Sequence, residues 1–169
     1  MKGVSKRFLD EYNRRHPEYG LPSDPAKLTG AQITGLFRRE FHDQPKIPKL
    51  ARVPGLDMAA PRLAEQIFDA GVLHGPAQAG KWLQEALEEE LEIDIKTKGA
   101  NGKTYHDGII GPQTRSAIAR AVNQGKIGAV NDAIVEKRLE FMRGLPNYQT
   151  HRDGWTTRAN SFRQSIPRF

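Results

Sequence analysis

Apolar residues recur at helical spacing along much of this chain, and the clearest stretch is 66–87, QIFDAGVLHGPAQAGKWLQEAL. Ile67, Phe68, Val72 and Leu73 fall on one helical face. Gly75-Pro76 breaks that helix, and Pro76 suits the first turn of a second one, where a missing N–H leaves no intrahelical bond unmade. Ala79, Trp82, Leu83, Ala86 and Leu87 then form one stripe. Gly71, Gly75, Ala77, Ala79 and Gly80 keep side chains small where the two helices must pass closely. The pattern predicts a helical hairpin in the middle of a domain.

On the N-terminal side, Val4, Phe8, Leu9 and Tyr12 predict an amphipathic helix over 4–16, with Ser5 close to its start. Residues 17–25, PEYGLPSDP, read as a loop. Thr29 and Gln32 form a capping-box pattern that opens a helix running to about residue 41, with Ile33, Leu36 and Phe37 inward. The prolines at 45, 48 and 54 make 44–58 read as an irregular connection. After the hairpin, 85–92 (EALEEELE) reads as a solvated acidic helix end, and 97–106 as a small β-hairpin around Asn101-Gly102. In 107–114, DGIIGPQT, Gly108 and Gly111 permit tight backbone while Ile109 and Ile110 plug into a core. Pro112 starts a helix with Ile118 and Val122 inward, and a further helix covers 127–143, with Gly144 as a fitting C-cap. Trp155, Phe162 and Phe169 lie in a tail among arginines. The expected fold class is all-α, or mainly α with a small β-hairpin near 97–106, in a single domain over 1–169.

Composition narrows the classes. With 169 residues, 37% hydrophobic and 27% charged, the chain suits a globular domain that needs no staples. It has no cysteine, so disulfides and thiolate metal sites are excluded. No apolar run reaches the roughly 20 residues that span a bilayer. The charged start MKGVSKRFLDEYNRR has no apolar segment of signal-peptide type, so synthesis in the cytoplasm is expected. A formal charge of +6 favours an acidic partner: nucleic acid, anionic membrane or bacterial cell wall. The basic residues are scattered rather than clustered, which argues against nucleic acid as the partner.

The blocks IFDAGVLHGPAQAGKWLQEAL, DGIIGPQTRSAIARA, RLEFMRGLPNY and DGWTTRANSF, in this order, resemble the glycoside hydrolase family 108 lysozymes. GVSKRFLDEY and LTGAQITGLFRREFHD resemble earlier segments of the same family, so the likeness spans essentially the whole chain. The resemblance implies a lysozyme-like helical fold and peptidoglycan as the substrate or partner, with no cofactor. Residues 66–169 are similar to the family's peptidoglycan-binding segment. It further implies action at the cell wall or within a phage particle, or as part of a secretion assembly.

Family members begin with a helix carrying a catalytic glutamate, followed by an aspartate and a threonine. Gly3-Val4-Ser5 resembles the element just after them, so the catalytic residues have no counterpart here and none is assigned. Glycoside hydrolysis needs a carboxylic acid to protonate the leaving oxygen. Glu11, Glu18, Glu40, Asp43 and Asp69 are the substitutes to weigh, and Asp69, between Phe68 and Ala70, is the outsider most suited to a buried acid. Its plainer reading is a buried carboxylate bonding a neighbouring helix end. The chain as written is therefore expected to be a wall-binding or structural relative. Two alternatives stand beside it: an active N-acetylmuramidase completed by another chain or an upstream segment, and a nucleic-acid-associated protein. The surface left by the missing helix would call for a partner or self-association.

The glycan-binding candidates are Tyr105, Asp107, Tyr148 and Trp155, whose aromatic members sit in loop or tail contexts. Trp82, at helical spacing, reads as core, and Gly108 and Gly111 as structural. His42, His74 and His106 do not pair at i+3 or i+4, so no metal site is expected.

Overall fold

The computed structural model of the chain describes residues 3–164. These gather into two compact units, one up to Glu40 and one from Phe41 onward.

In the first unit, helix α1 (Lys6–Arg15) begins at Ser5, whose hydroxyl accepts from the Phe8 N–H at 3.2 Å. The stretch read as a loop contains two short 3₁₀ turns, Pro17–Tyr19 and Pro25–Lys27, each opened by a proline whose φ is already helical. Helix α2 (Gly30–Phe37) has the expected capping box. The Thr29 hydroxyl accepts from the Gln32 N–H at 3.2 Å, and the Gln32 side chain accepts from the Thr29 N–H at 2.9 Å. The α-helix stops at Phe37 rather than near residue 41, and a π-helical turn covers Arg38–Asp43. Leu9, Tyr12, Leu28 and Leu36 fill the core of this unit. Tyr12 accepts a hydrogen bond from Arg39, whose guanidinium lies 3.9 Å from the centre of the Tyr19 ring.

In the second unit the connection read as irregular holds two short helices, α3 (Ile47–Ala51) and α4 (Leu56–Ala59). Pro48 falls in the first turn of α3, where it breaks nothing, and Ile47, Leu50, Val53 and Leu56 all join the main core. The hairpin follows as α5 (Leu63–His74) and α6 (Pro76–Leu91), joined at Gly75 with φ +92°. Helix α6 buries Ala79, Trp82, Leu83, Ala86 and Leu87 as its stripe predicts. Helix α5 is turned from the expected face. It buries Leu63, Gln66, Ile67, Asp69 and Ala70 and leaves Leu73 47% exposed. Polar residues occupy inward positions because partners wait there: the Gln66 amide donates to the side chain and carbonyl of Asn131 at 2.9 and 3.0 Å.

Strands β1 (Thr97–Lys98) and β2 (Thr104–Tyr105) pair antiparallel, Thr97 opposite Tyr105, where the hairpin was expected. Helices α7 (Pro112–Asn123), α8 (Ile127–Arg143) and α9 (Tyr148–Asn160) complete the unit. Helix α6 packs on α5, α7 and α8, and α8 carries α9. Gly144 ends α8 in right-handed backbone (φ −80°), so it does not act as a left-handed cap. The fold is mainly helical with one small antiparallel hairpin. No helix among the described residues is long and apolar enough to cross a membrane.

Candidate functional site

The DGIIGPQT block is a turn clamped onto α6. Asp107 Oδ1 accepts from the Gln84 amide and from the Ile109 N–H, both at 2.8 Å, while Oδ2 accepts from the Thr97 hydroxyl at 2.7 Å. Gln84 also accepts from the Gly108 N–H at 2.9 Å, and the Thr114 hydroxyl donates to the Ile109 carbonyl at 3.1 Å. Burial works against the ionised Asp107, but the Gln84, Ile109 and Thr97 donors outweigh it and lower its pKa. Both carboxylate oxygens are thus occupied in tying β1 to the turn. Gly108 has φ +73°, and its backbone lies against α6 so closely that a Cβ on Gly80 would overlap its carbonyl. The small residues Ala77 and Gly80 serve this turn, whereas a Cβ on Gly71 would meet Pro76 at an ordinary 3.6 Å. Gly111 has extended backbone and room for a Cβ, so it carries no comparable constraint. Ile110 is core, but Ile109, expected there too, is 55% exposed because the turn points it outward.

Beside the turn, the acidic end of α6 is an ion-pair network rather than a plain solvated face. Glu88 lies 3.0 Å from Lys96 and 2.9 Å from His106 Nε2, and accepts from the Ile95 N–H. Lys137 reaches Glu89 at 2.6 Å and Glu85 at 3.7 Å. Burial raises the Glu88 carboxyl, but the Ile95, Lys96 and His106 contacts prevail and lower it. Tyr105 is exposed on β2.

Tyr148 and Trp155 lie on α9 and not in an irregular tail. Both are half-buried against Val135, Leu139 and Met142. Exposed His151 stacks on Trp155 at 5.2 Å between ring centres, and Tyr148 stands 6.5 Å from Trp155. Residues 148, 151 and 155 share one helical face, giving a half-exposed aromatic stripe.

Asp69 is buried, but its partners are arginine side chains and not a helix end. Arg138 Nη2 donates to Oδ2 at 2.6 Å, and Arg158 Nε and Nη2 donate to Oδ1 at 2.9 and 2.6 Å. With both oxygens accepting from guanidinium groups, neither is presented to a leaving oxygen. Nearby, His74, Trp82 and Phe141 meet edge-on, 5.3 to 5.5 Å between ring centres. Burial lowers the His74 pKa to about 4; the Arg138 charge adds to the shift and Asp69 opposes it. Trp82 is buried in the core.

Of the glycan candidates, the structure brings Tyr148 and Trp155 together, places Tyr105 on the hairpin and gives Asp107 to the turn. Gln84, Arg138 and Arg158 were missed by the sequence reading. Arg138 had a signal: it continues the inward stripe of Ile127, Val130, Ile134 and Val135, a charge where an apolar residue belongs. Among the described residues, no three His, Cys, Asp or Glu side chains are grouped as metal ligands.

No known family model matches this chain, and no curated protein matches it. Among solved structures, that of Brucella abortus SagA is similar, with a TM-score of 0.58 and 22% identity. The match spans 95% of this chain and 74% of the SagA chain. At that identity the likeness is one of fold.

Proposed function

We propose that this chain is a peptidoglycan-directed relative of the family 108 muramidases that binds the wall and does not cleave it. The observation that carries this reading is the aromatic stripe of Tyr148, His151 and Trp155 on α9, since sugar rings stack on half-exposed aromatic faces. Tyr105 on the hairpin is a second contact. The ordered sequence blocks supply the wall as target. Against hydrolysis stands the state of the five candidate carboxylates: Asp69 and Glu40 accept from arginines, Glu18 and Asp43 lie against histidines, and Glu11 is exposed on α1, without the burial a general acid needs. A general acid needs a proton to give and a free path to the glycosidic oxygen.

Sedimentation with purified sacculi tests the reading. The chain should pellet with the wall, and Trp155→Ala should weaken pelleting by about tenfold, the scale of one lost aromatic stacking contact. A chain left in the supernatant overturns wall binding. Clearing of a sacculus suspension overturns the non-catalytic part.

A further inference from the structure

An asparagine or aspartate stands directly before a glycine at three places in the chain: Asn101-Gly102, Asp107-Gly108 and Asp153-Gly154. Such pairs share one chemistry, because no Cβ hinders the glycine nitrogen as it turns on the preceding side-chain carbonyl carbon. The fold treats the three differently.

Asn101-Gly102 forms the tip of the β1–β2 hairpin. The Gly99 N–H donates to the Lys103 carbonyl at 2.8 Å and the Gly102 N–H to the Gly99 carbonyl at 3.0 Å, with Gly102 left-handed at φ +78°. Residues 100–105 are exposed, and a Cβ on Gly102 would meet nothing within 4 Å. One solvent-exposed hydrogen bond is therefore what restrains the Gly102 nitrogen. The electrophile beside it is already polarised, since Asn101 Oδ1 accepts from the Lys103 N–H at 3.0 Å. A donor on Oδ1 stabilises the negative charge that develops there when a nucleophile adds to Cγ.

The aspartates lack these conditions. Burial raises the Asp107 pKa, but Gln84, Ile109 and Thr97 prevail and hold it as a carboxylate, a poor electrophile. Its glycine is also fixed: the Gly108 N–H donates to Gln84 at 2.9 Å, and the Gly108 backbone lies against Ala77. Asp153 is exposed but lies inside α9, whose helical hydrogen bonds must break before the Gly154 nitrogen can turn.

We propose that Asn101 is a self-modification site, at which the Gly102 nitrogen closes a succinimide on the Asn101 side chain and the amide is lost. The Gly102 nitrogen bonds to Cγ and gives its proton to a solvent base, and the Cγ–Nδ2 bond breaks as Nδ2 leaves as ammonia. Water then opens the cyclic imide. Addition at Cγ yields an aspartate at position 101, and addition at the main-chain carbonyl carbon yields an isoaspartyl link that runs the backbone through the side chain. Nothing is oxidised or reduced. Each event replaces a neutral amide by a carboxylate next to Lys103, and the isoaspartyl form adds one methylene to the loop between the paired residues Gly99 and Lys103. The chemistry is independent of wall binding.

The test is incubation of the folded chain at mildly alkaline pH, with a urea-unfolded sample alongside, followed by peptide mapping by mass spectrometry. Enzymatic methyl-labelling of isoaspartyl carboxyls is the second readout, because it also detects isomerised aspartates. In the folded chain the peptide holding position 101 should pass from amide to acid, in aspartyl and isoaspartyl forms, while positions 107 and 153 stay unlabelled. Asn101→Gln, at an exposed position, should lose both the conversion and the label, because its longer side chain closes the ring poorly. An amide that persists at position 101 in the folded chain, whether or not the unfolded chain loses its own, overturns the site. Label at 107 or 153 as rapid as at 101 overturns the selectivity ascribed to the clamp and the helix. Label that survives Asn101→Gln overturns the assignment to Asn101.

Discussion

A Cβ on Gly108 would stand 3.0 Å from Ala77 Cα and closer still to the Ala77 carbonyl, on a residue whose φ is already +73°. A methyl there must move the turn or the helix, and neither gives easily. Gly108→Ala is expected to lose about 2–4 kcal/mol, the range of strained-backbone and overpacking substitutions, in urea unfolding. Gly111→Ala, with open space and extended backbone, should change stability by less than about 1 kcal/mol. Equal losses at both sites would contradict the geometry. Trp82→Ala removes a buried ring that also packs edge-on against His74 and Phe141, and should cost about 3–5 kcal/mol.

His74 makes a residue-scale prediction in pH. Its folded pKa of about 4 lies below the ordinary 6.5, so the unfolded chain binds the proton first. The contribution is therefore fully present above pH 6.5 and is lost as pH falls toward 4, by about 1–2 kcal/mol once solvent screening of the partly exposed ring is allowed for. Chemical unfolding at pH 7.5 and pH 4.5 should show this loss, and the loss should shrink in His74→Gln. An unchanged pH slope in that variant would assign the acid sensitivity to other groups.

Among the elements, the clamp of the 107–114 turn depends on a residue outside it. Gln84 serves Asp107, Gly108, Ile109 and Thr114 from the side of α6. Gln84→Leu keeps the bulk and leaves the Gly108 N–H without its acceptor, at about 1–3 kcal/mol. Amide exchange at Gly108 and Ile109 should quicken while α8 stays protected; uniform protection would refute the clamp. Legibility differed by element for related reasons. Helix α8 was readable end to end because its apolar residues repeat regularly. Helix α9 was not, since Tyr148, Trp155, Ala159 and Phe162 are widely spaced and acquire a face only against Val135, Leu139 and Met142. Pro48 in the first turn of α3 and Pro54 just ahead of the Gly55 cap of α4 disguised Ile47, Leu50, Val53 and Leu56 as a loop.

Over the whole molecule, the proposed wall binding predicts that the formal charge of +6 makes pelleting with sacculi fall as salt rises, while the part due to stacking on Trp155 should persist. Pelleting at 0.05 and 0.5 M salt separates the two, because a purely electrostatic association would vanish at the higher value.

The sequence by itself determined helices α1, α2 and α5 to α8, the capping box at Thr29, the hairpin around Asn101-Gly102 and the burial of Trp82, because each depends on residues close in the chain. Tertiary structure decided which way α5 faces, that Asp69 meets Arg138 and Arg158, and that Gly108 rather than Gly111 is indispensable to the turn. These depend on residues far apart: Arg138 lies 69 positions from Asp69 and Arg158 lies 89. Helical spacing marks a position as inward without naming what it meets, and a buried charge takes its meaning from the partner that the fold brings to it.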